Sequence, residues 1–315
     1  MPKKLLPGTS ALHMIVASAP DLAPSTRDKY LRDLNTWITF AGEHPSGWTP
    51  AQAQAYYAHL LARGLRPQSA NRLMSSVQYA AKWWSHQERK PELYFAQIRS
   101  SKPSNLIKQH ALDEETAIQL LATCDKSPPG LRDFALIVVG LETGMRRMSL
   151  AAMDLEQLGN KPYPLIKVPM KGTRDELVPV PLSDAALAAL TPWSKYLGTR
   201  RGPIFRPLQR RIGASGRFDY EILDRGLSPS AIQKMLATRA VAAKVDHVHP
   251  HMFRHTFITW RSKAGHAPHE IASITGHTVP GAGALGGYID MEVIGERMRT
   301  STPSWLTEII ARRAA

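Results

Sequence analysis

Between residues 25 and 88 the apolar positions recur at spacings of three and four, which predicts helices. Ser25 reads as an N-cap, followed by Tyr30, Leu34, Trp37, Ile38 and Ala41 on one face, and Gly42 ends the run. Thr49-Pro50 opens a second helix with Ala53, Tyr56, Tyr57, Leu60 and Leu61 inward, and Gly64 stops it. Pro67 starts a third, carrying Leu73, Val77, Ala80, Ala81 and Trp84. The pattern weakens between Lys90 and Gln109, where Pro91, Pro103 and several serines read as a linker.

A second helical series follows. Asp113 caps a helix with an acidic first turn, and an apolar helix over Leu131–Leu141 ends at Thr143-Gly144. Met145–Met153 reads as another helix, led by Arg146 and Arg147. Tyr163–Pro169 and Glu176–Val180 are short and β-branched around Gly172, which predicts a hairpin. Ser183 caps a helix through Leu190; residues 199 to 218 read as a basic loop; and Ser228-Pro229 opens a helix to about Lys244. His251–Ala264 and Pro268–Thr275 are further helices. The tail carries Trp305, Leu306, Ile309 and Ile310 on one apolar face, to pack on its own domain or on another protomer.

The expected organisation is an N-terminal arm at 1–24, a helical domain at 25–89, a linker at 90–109 and a larger domain at 110–315. The arm is punctuated by Pro2, Pro7, Gly8, Pro20 and Pro24. Lys3, Lys4 and the apolar stretch from Ala11 to Ala19 resemble a secretory leader, but Pro7, Gly8 and His13 interrupt it, so an arm or a first helix is the expectation.

Composition adds one decisive fact. The formal net charge is +14 and the pI about 10.0, with an ordinary 43% apolar content. Such a surplus favours polyanions, since each phosphate neutralised releases condensed counterions. Arg27, Arg63, Arg66, Arg72 and Lys82 in the first domain, and Arg200, Arg201, Arg210 and Arg211 in the second, are the candidate DNA-phosphate contacts. The single Cys124 excludes an intrachain disulfide. No apolar run approaches the ~20 residues that span a bilayer.

The candidate chemistry is concentrated late in the chain. There is no Walker loop, GxGxxG or CxxC. His251 and His255 lie four apart, but Met252 stands where a zinc helix of the HExxH kind needs Glu, so neither metal nor cofactor is expected. As a phosphate site the residues make more sense. Arg146 and Arg254 are planar, permanently charged donors that can clamp a phosphodiester from two sides. Lys171, on the hairpin, can protonate a leaving oxygen. His251 shares a helix face with Arg254, and His277 offers another hydrogen bond. Tyr288 can attack phosphorus if cations stabilise its anion.

The segments TGMRRMSL (143–150), MKGTRDELVPV (170–180), HPHMFRHTF (249–257) and ITGH (274–277) followed by Tyr288 resemble, in order, the boxes of the tyrosine recombinase (phage integrase) family. The resemblance implies a mainly α fold with a small β-hairpin or sheet. It also implies a two-domain DNA clamp, a helical core-binding domain plus a mixed α/β catalytic domain. Arg146, Lys171, His251, Arg254, His277 and Tyr288 match the catalytic set, with Tyr288 as the nucleophile that forms a 3′-phosphotyrosyl link and Lys171 as general acid. The expected function is site-specific recombination of double-stranded DNA by a homo-oligomer, dimer to tetramer, in the cytoplasm at the nucleoid. A DNA-binding protein that has lost catalysis and a type IB topoisomerase are the alternatives. Two positions depart from the pattern. Ser149 stands where an acidic residue is usual, and the glycine-rich run from His277 to Tyr288 is about two residues longer than common, which leaves cis or trans action open.

Overall fold

Local chain chemistry sets most helix starts. The structure, a computed structural model, describes residues 11–42, 48–87, 111–160, 163–170, 176–212, 218–276 and 291–314. The chain divides into two units, residues 1–108 and 109–315.

In the first unit, α1 (Ala11–Ser18), α2 (Pro24–Ala41), α3 (Pro50–Ala62) and α4 (Pro67–Gln87) pack around one core. Thr49 and Gln52 form a reciprocal capping box at the head of α3, with bonds of 3.2 and 3.0 Å. Trp37 is fully buried and meets Trp48 and Tyr56 edge-on. Two expectations change. Ser25 is not the cap of α2: Pro24 takes the first helical position and Ala23 the extended flank. Part of the expected arm is helix α1, whose Val16 joins the same core.

The second unit is built on α6 (Pro128–Thr143), buried along nearly its whole length. Asp113 caps α5 (Glu114–Ala122) as expected, its carboxylate accepting from Thr116 N at 2.7 Å. The helix expected from Met145 to Met153 shortens to α7 (Arg147–Ala151). An antiparallel sheet runs β1 (Leu158–Gly159), β2 (Leu165–Pro169), β3 (Leu177–Pro181), with Ile166 opposite Val180 and both buried. α8 (Asp184–Leu197) continues well past Leu190, with Pro192 inside it. The expected basic loop contains a hairpin, β4 (Leu208–Ile212) and β5 (Phe218–Ile222). α9 (Pro229–Ala243), α10 (Pro250–Lys263) and α11 (Pro268–Thr275) each begin with proline. α12 (Met291–Thr300) and α13 (Ser304–Ala314) complete the unit. The mainly helical fold with small antiparallel sheets agrees with the sequence reading.

Buried charge ties this unit together. Asp133 on α6 receives forks from Arg132 and from Arg239 on α9, at 2.7 to 3.0 Å. The tail packs on its own unit. Leu306 and Ile310 are buried in the core, Trp305 meets Trp260 edge-on, and Arg313 donates to the carbonyls of Cys124 and Asp125.

Candidate active site

The helix α10 carries the HxxR pair, and two glycines fix its position. Gly140 and Gly144, one turn apart on α6, face Phe253 and Phe257, one turn apart on α10. A Cβ on Gly140 would lie 2.6 Å from Phe253 Cδ2, and one on Gly144 2.8 Å from Phe257 Cδ1. Any side chain there would push the helices apart. Gly144 also holds φ +58°, the left-handed cap of α6.

This approach delivers Arg254, only 2% exposed, to the end of α6. Its Nη1 donates to Gly144 O at 3.2 Å, and its Nη2 donates to Thr275 O, the last carbonyl of α11. Arg146 arrives from the other side. It is the extended N-cap residue of α7, and its Nη1 donates to the same Thr275 oxygen at 3.4 Å. Two guanidiniums from segments far apart in sequence therefore converge on one carbonyl. Burial, and then the charge of Arg146, push Arg254 down to about 10. It remains a cation at neutral pH.

The hairpin comes to the same place. Ser149 Oγ, buried on α7, donates to Pro169 O at 2.7 Å and pins the end of β2 beside Arg146. Gly276, in the left-handed region at φ +65°, packs close to both: a Cβ there would lie 3.2 Å from Met170 Sδ and 3.8 Å from Arg146 Nη1. Met170 directly precedes Lys171, and Gly276 directly precedes His277.

His251 sits one turn before Arg254 and is exposed. Its ring meets His255 edge-on at 4.8 Å between centroids. Partial desolvation of the ring, then His255, Arg254, His249 and Arg146, hold its pKa below the ordinary histidine value, so its neutral, proton-accepting form is favoured.

Of the six residues expected to do chemistry, Arg146, His251 and Arg254 fall among those described; the two arginines meet at the Thr275 carbonyl, and His251 lies one turn before Arg254 on α10. Lys171, His277 and Tyr288 lie outside the described residues. The candidate DNA contacts divide into two kinds. Arg63, Arg66, Lys82, Arg200 and Arg201 are exposed. Arg27 instead donates to the carbonyls of Leu22 and Ala17, and Arg72 pairs with Asp33. Arg210 and Arg211 are exposed as well, but Arg210 lies over the Phe218 ring at 3.4 Å and Arg211 pairs with Glu221. Arg206, from the expected loop, is itself buried and donates to the exposed Asp224 carboxylate and to the carbonyls of Pro203 and Arg201. Sequence reasoning missed the shared Thr275 carbonyl and the bond from Ser149 to β2. The only trace of the first was the glycine after Thr275, a usual sign of a left-handed cap.

Two family models match the chain: the phage integrase family over residues 110–281 and the phage integrase N-terminal SAM-like domain over residues 16–88. The chain is 28% identical over 261 residues to the tyrosine recombinase XerC of Xylella fastidiosa (strain M23), covering 81% of this chain and 83% of that protein. It is 28% identical over 290 residues to the tyrosine recombinase XerD of Caulobacter vibrioides, covering 87% and 88%. Its fold is similar to the Tn1549 transposon integrase in complex with transposon right end DNA, at TM-score 0.64 and 14% identity, over 96% of this chain and 99% of that one. It is also similar to a lambda integrase dimer bound to a core site, at TM-score 0.63 and 14% identity, over 85% and 93%.

Proposed function

The chain belongs to the phage integrase family and is a site-specific DNA recombinase, and from that premise we propose how its own residues cut and rejoin a strand. The Tyr288 hydroxyl attacks the scissile phosphorus. The bond from phosphorus to the 5′ oxygen breaks, and the departing 5′-hydroxyl takes its proton from Lys171. Arg146 and Arg254 hold the non-bridging oxygens as negative charge builds on them. His251, held neutral, takes the phenol proton, and His277 adds a hydrogen bond to the phosphate. The 3′-phosphotyrosyl bond keeps the energy of the diester, so a second 5′-hydroxyl reseals it by the reverse steps without ATP.

One observation carries this reading: Arg146 and Arg254 are held together at the Thr275 carbonyl. Two cations confined side by side repel each other, and a phosphodiester entering between them relieves that repulsion. Ser149 brings no charge to the pair and serves by fastening the Lys171 hairpin. The exposed cations Arg63, Arg66, Lys82, Arg200 and Arg201 contact the phosphate backbone, whereas Arg27, Arg72, Arg210 and Arg211 act first within the fold. Residues 25–89 form the core-binding domain and 110–315 the catalytic domain. The working form is a homo-oligomer, dimer to tetramer, on double-stranded DNA in the cytoplasm. The recombinase reading is preferred to an inactive DNA-binding protein and to a topoisomerase, since the curated relatives are named tyrosine recombinases.

The test is covalent capture. The protein is incubated with a pool of nicked genomic duplexes, and protein-linked DNA is recovered under denaturing conditions and sequenced. An adduct on a defined site, lost in Tyr288→Phe, is the expected result. No adduct on any DNA would remove the enzyme reading, and an adduct that persists in Tyr288→Phe would move the nucleophile elsewhere.

A further inference from the structure

Helix α12 begins three residues after Tyr288, and its far end is fastened by a buried polar network. Glu270, on the first turn of α11, is 6% exposed and uses both carboxylate oxygens. Its Oε2 accepts from Ala267 N at 2.7 Å, which closes the head of α11, and its Oε1 accepts from Arg297 on α12. His266 lies beside it, with Nε2 2.8 Å from Ser301 Oγ and Nδ1 3.6 Å from Glu270. Thr302 donates to Glu142 at 2.7 Å, on the same oxygen that receives Arg261 at 3.1 Å. On the outer side Arg299 reaches Asp184 at the head of α8, and Met298 is buried in the core.

Glu270 is the member of this network that belongs to both flanks of the segment 277–290. Through α11, a helix of only eight residues, it is joined to Gly276 beside Arg146. Through Arg297 it holds α12, whose first residue is Met291. Tyr288 precedes Met291 by three residues, a length of chain that spans at most about 11 Å. We infer that Glu270, acting through Arg297, is a positioning residue that sets how fast Tyr288 meets the phosphate. Loss of the pair removes the direct bond between α11 and α12, while the Gly144 and Thr275 carbonyls still hold Arg254 and Arg146. An attacking atom displaced by about 1 Å loses on the order of a hundredfold in rate. The inference rests on Tyr288 being the nucleophile.

The experiment uses the full chain, the captured site as a nicked duplex, and single-turnover adduct formation at saturating DNA. Glu270→Gln and Arg297→Gln are each expected to slow the adduct by roughly 10- to 100-fold, with DNA affinity within about twofold of the parent. Arg297→Lys, which keeps the charge, is expected to recover most of the rate. Arg297 is half-exposed, so its variants remain folded even if Glu270→Gln does not, and thermal melts confirm this. A duplex with sulfur replacing the bridging 5′ oxygen needs no proton on its leaving group. The defect is expected to persist on it, because the fault lies with the attacking atom. A parental rate in Arg297→Gln, an equal loss of DNA affinity, or full rescue by the sulfur leaving group would overturn the inference. An adduct retained by Tyr288→Phe would overturn the nucleophile assignment as well, and that control separates the two failures.

Discussion

Arg254 and Arg261 stand two turns apart on the same face of α10, each 2% exposed, and they have opposite surroundings. Arg261 meets the Glu142 carboxylate at 3.1 Å and lies 5.3 Å from the centre of the Phe257 ring. Arg254 meets carbonyl oxygens and a second cation, Arg146. The first arginine is neutralised where it sits and holds α10 to α6. The second lies beside a like charge, where the proposed mechanism brings an anion. Under that mechanism one helix carries a structural charge at one end and a reactive charge at the other, and burial alone does not tell them apart. The sign of the nearest charge does.

The comparison breaks most sharply at Arg261. Arg261→Met leaves Glu142 buried without its charged partner and is expected to cost roughly 3–5 kcal/mol in urea unfolding. Glu142→Leu added to it should restore most of that stability. At Arg254 the expected effect is kinetic. Arg254→Gln should slow adduct formation by about 10²–10³-fold while the melting temperature changes little. A large fall in melting temperature with intact cleavage would reverse the two roles. Gly140→Ala joins the two ends, because its Cβ would collide with Phe253. Overpacking of about 1–3 kcal/mol is expected, with a parallel loss of cleavage as α10 shifts.

The smallest effect is on pH dependence. His249, His251 and His266 all have folded pKa values below the ordinary one, with burial the leading cause in each. For His266 the cations Arg261 and Arg297 add to that lowering and Glu270 opposes it. The unfolded chain therefore binds more protons than the folded one as pH falls through about 6.5. Stability present above that pH is lost gradually below it and levels off once the folded values are passed. Melting curves from pH 7.5 to 5.5 should show the decline, and His266→Gln should flatten it.

Much of this was legible in the chain. Thr49-Pro50, Asp113, Ser228-Pro229 and Gly144 mark their boundaries because caps and prolines act within one turn of themselves. The β4–β5 hairpin was not legible. Its strands LQRRI and FDYEI are largely exposed, so no alternation of burial marks them. The helix expected to run through Leu190 continues to Leu197, with Pro192 inside it. Arg239, Arg261 and Gly144, which meet Asp133, Glu142 and Arg254, each lie more than a hundred residues from them along the chain, beyond any local pattern. The basic residues were visible as charge, but which of them fold the protein and which face solvent depends on those distant neighbours.

The glycine notch on α6 also bears on when the enzyme comes into being. Arg254 and Gly144 meet across 110 residues of chain. Long-range contacts of this kind form only after a large loop has closed, and they slow folding. During translation α6 leaves the ribosome with Gly140 and Gly144 uncovered, and they stay so until Phe253 and Phe257 have been made. Arg146 is already present in that nascent chain, but Arg254, which the proposed anion clamp also needs, is not. The order of synthesis thus withholds the proposed cutting site from an unfinished polypeptide.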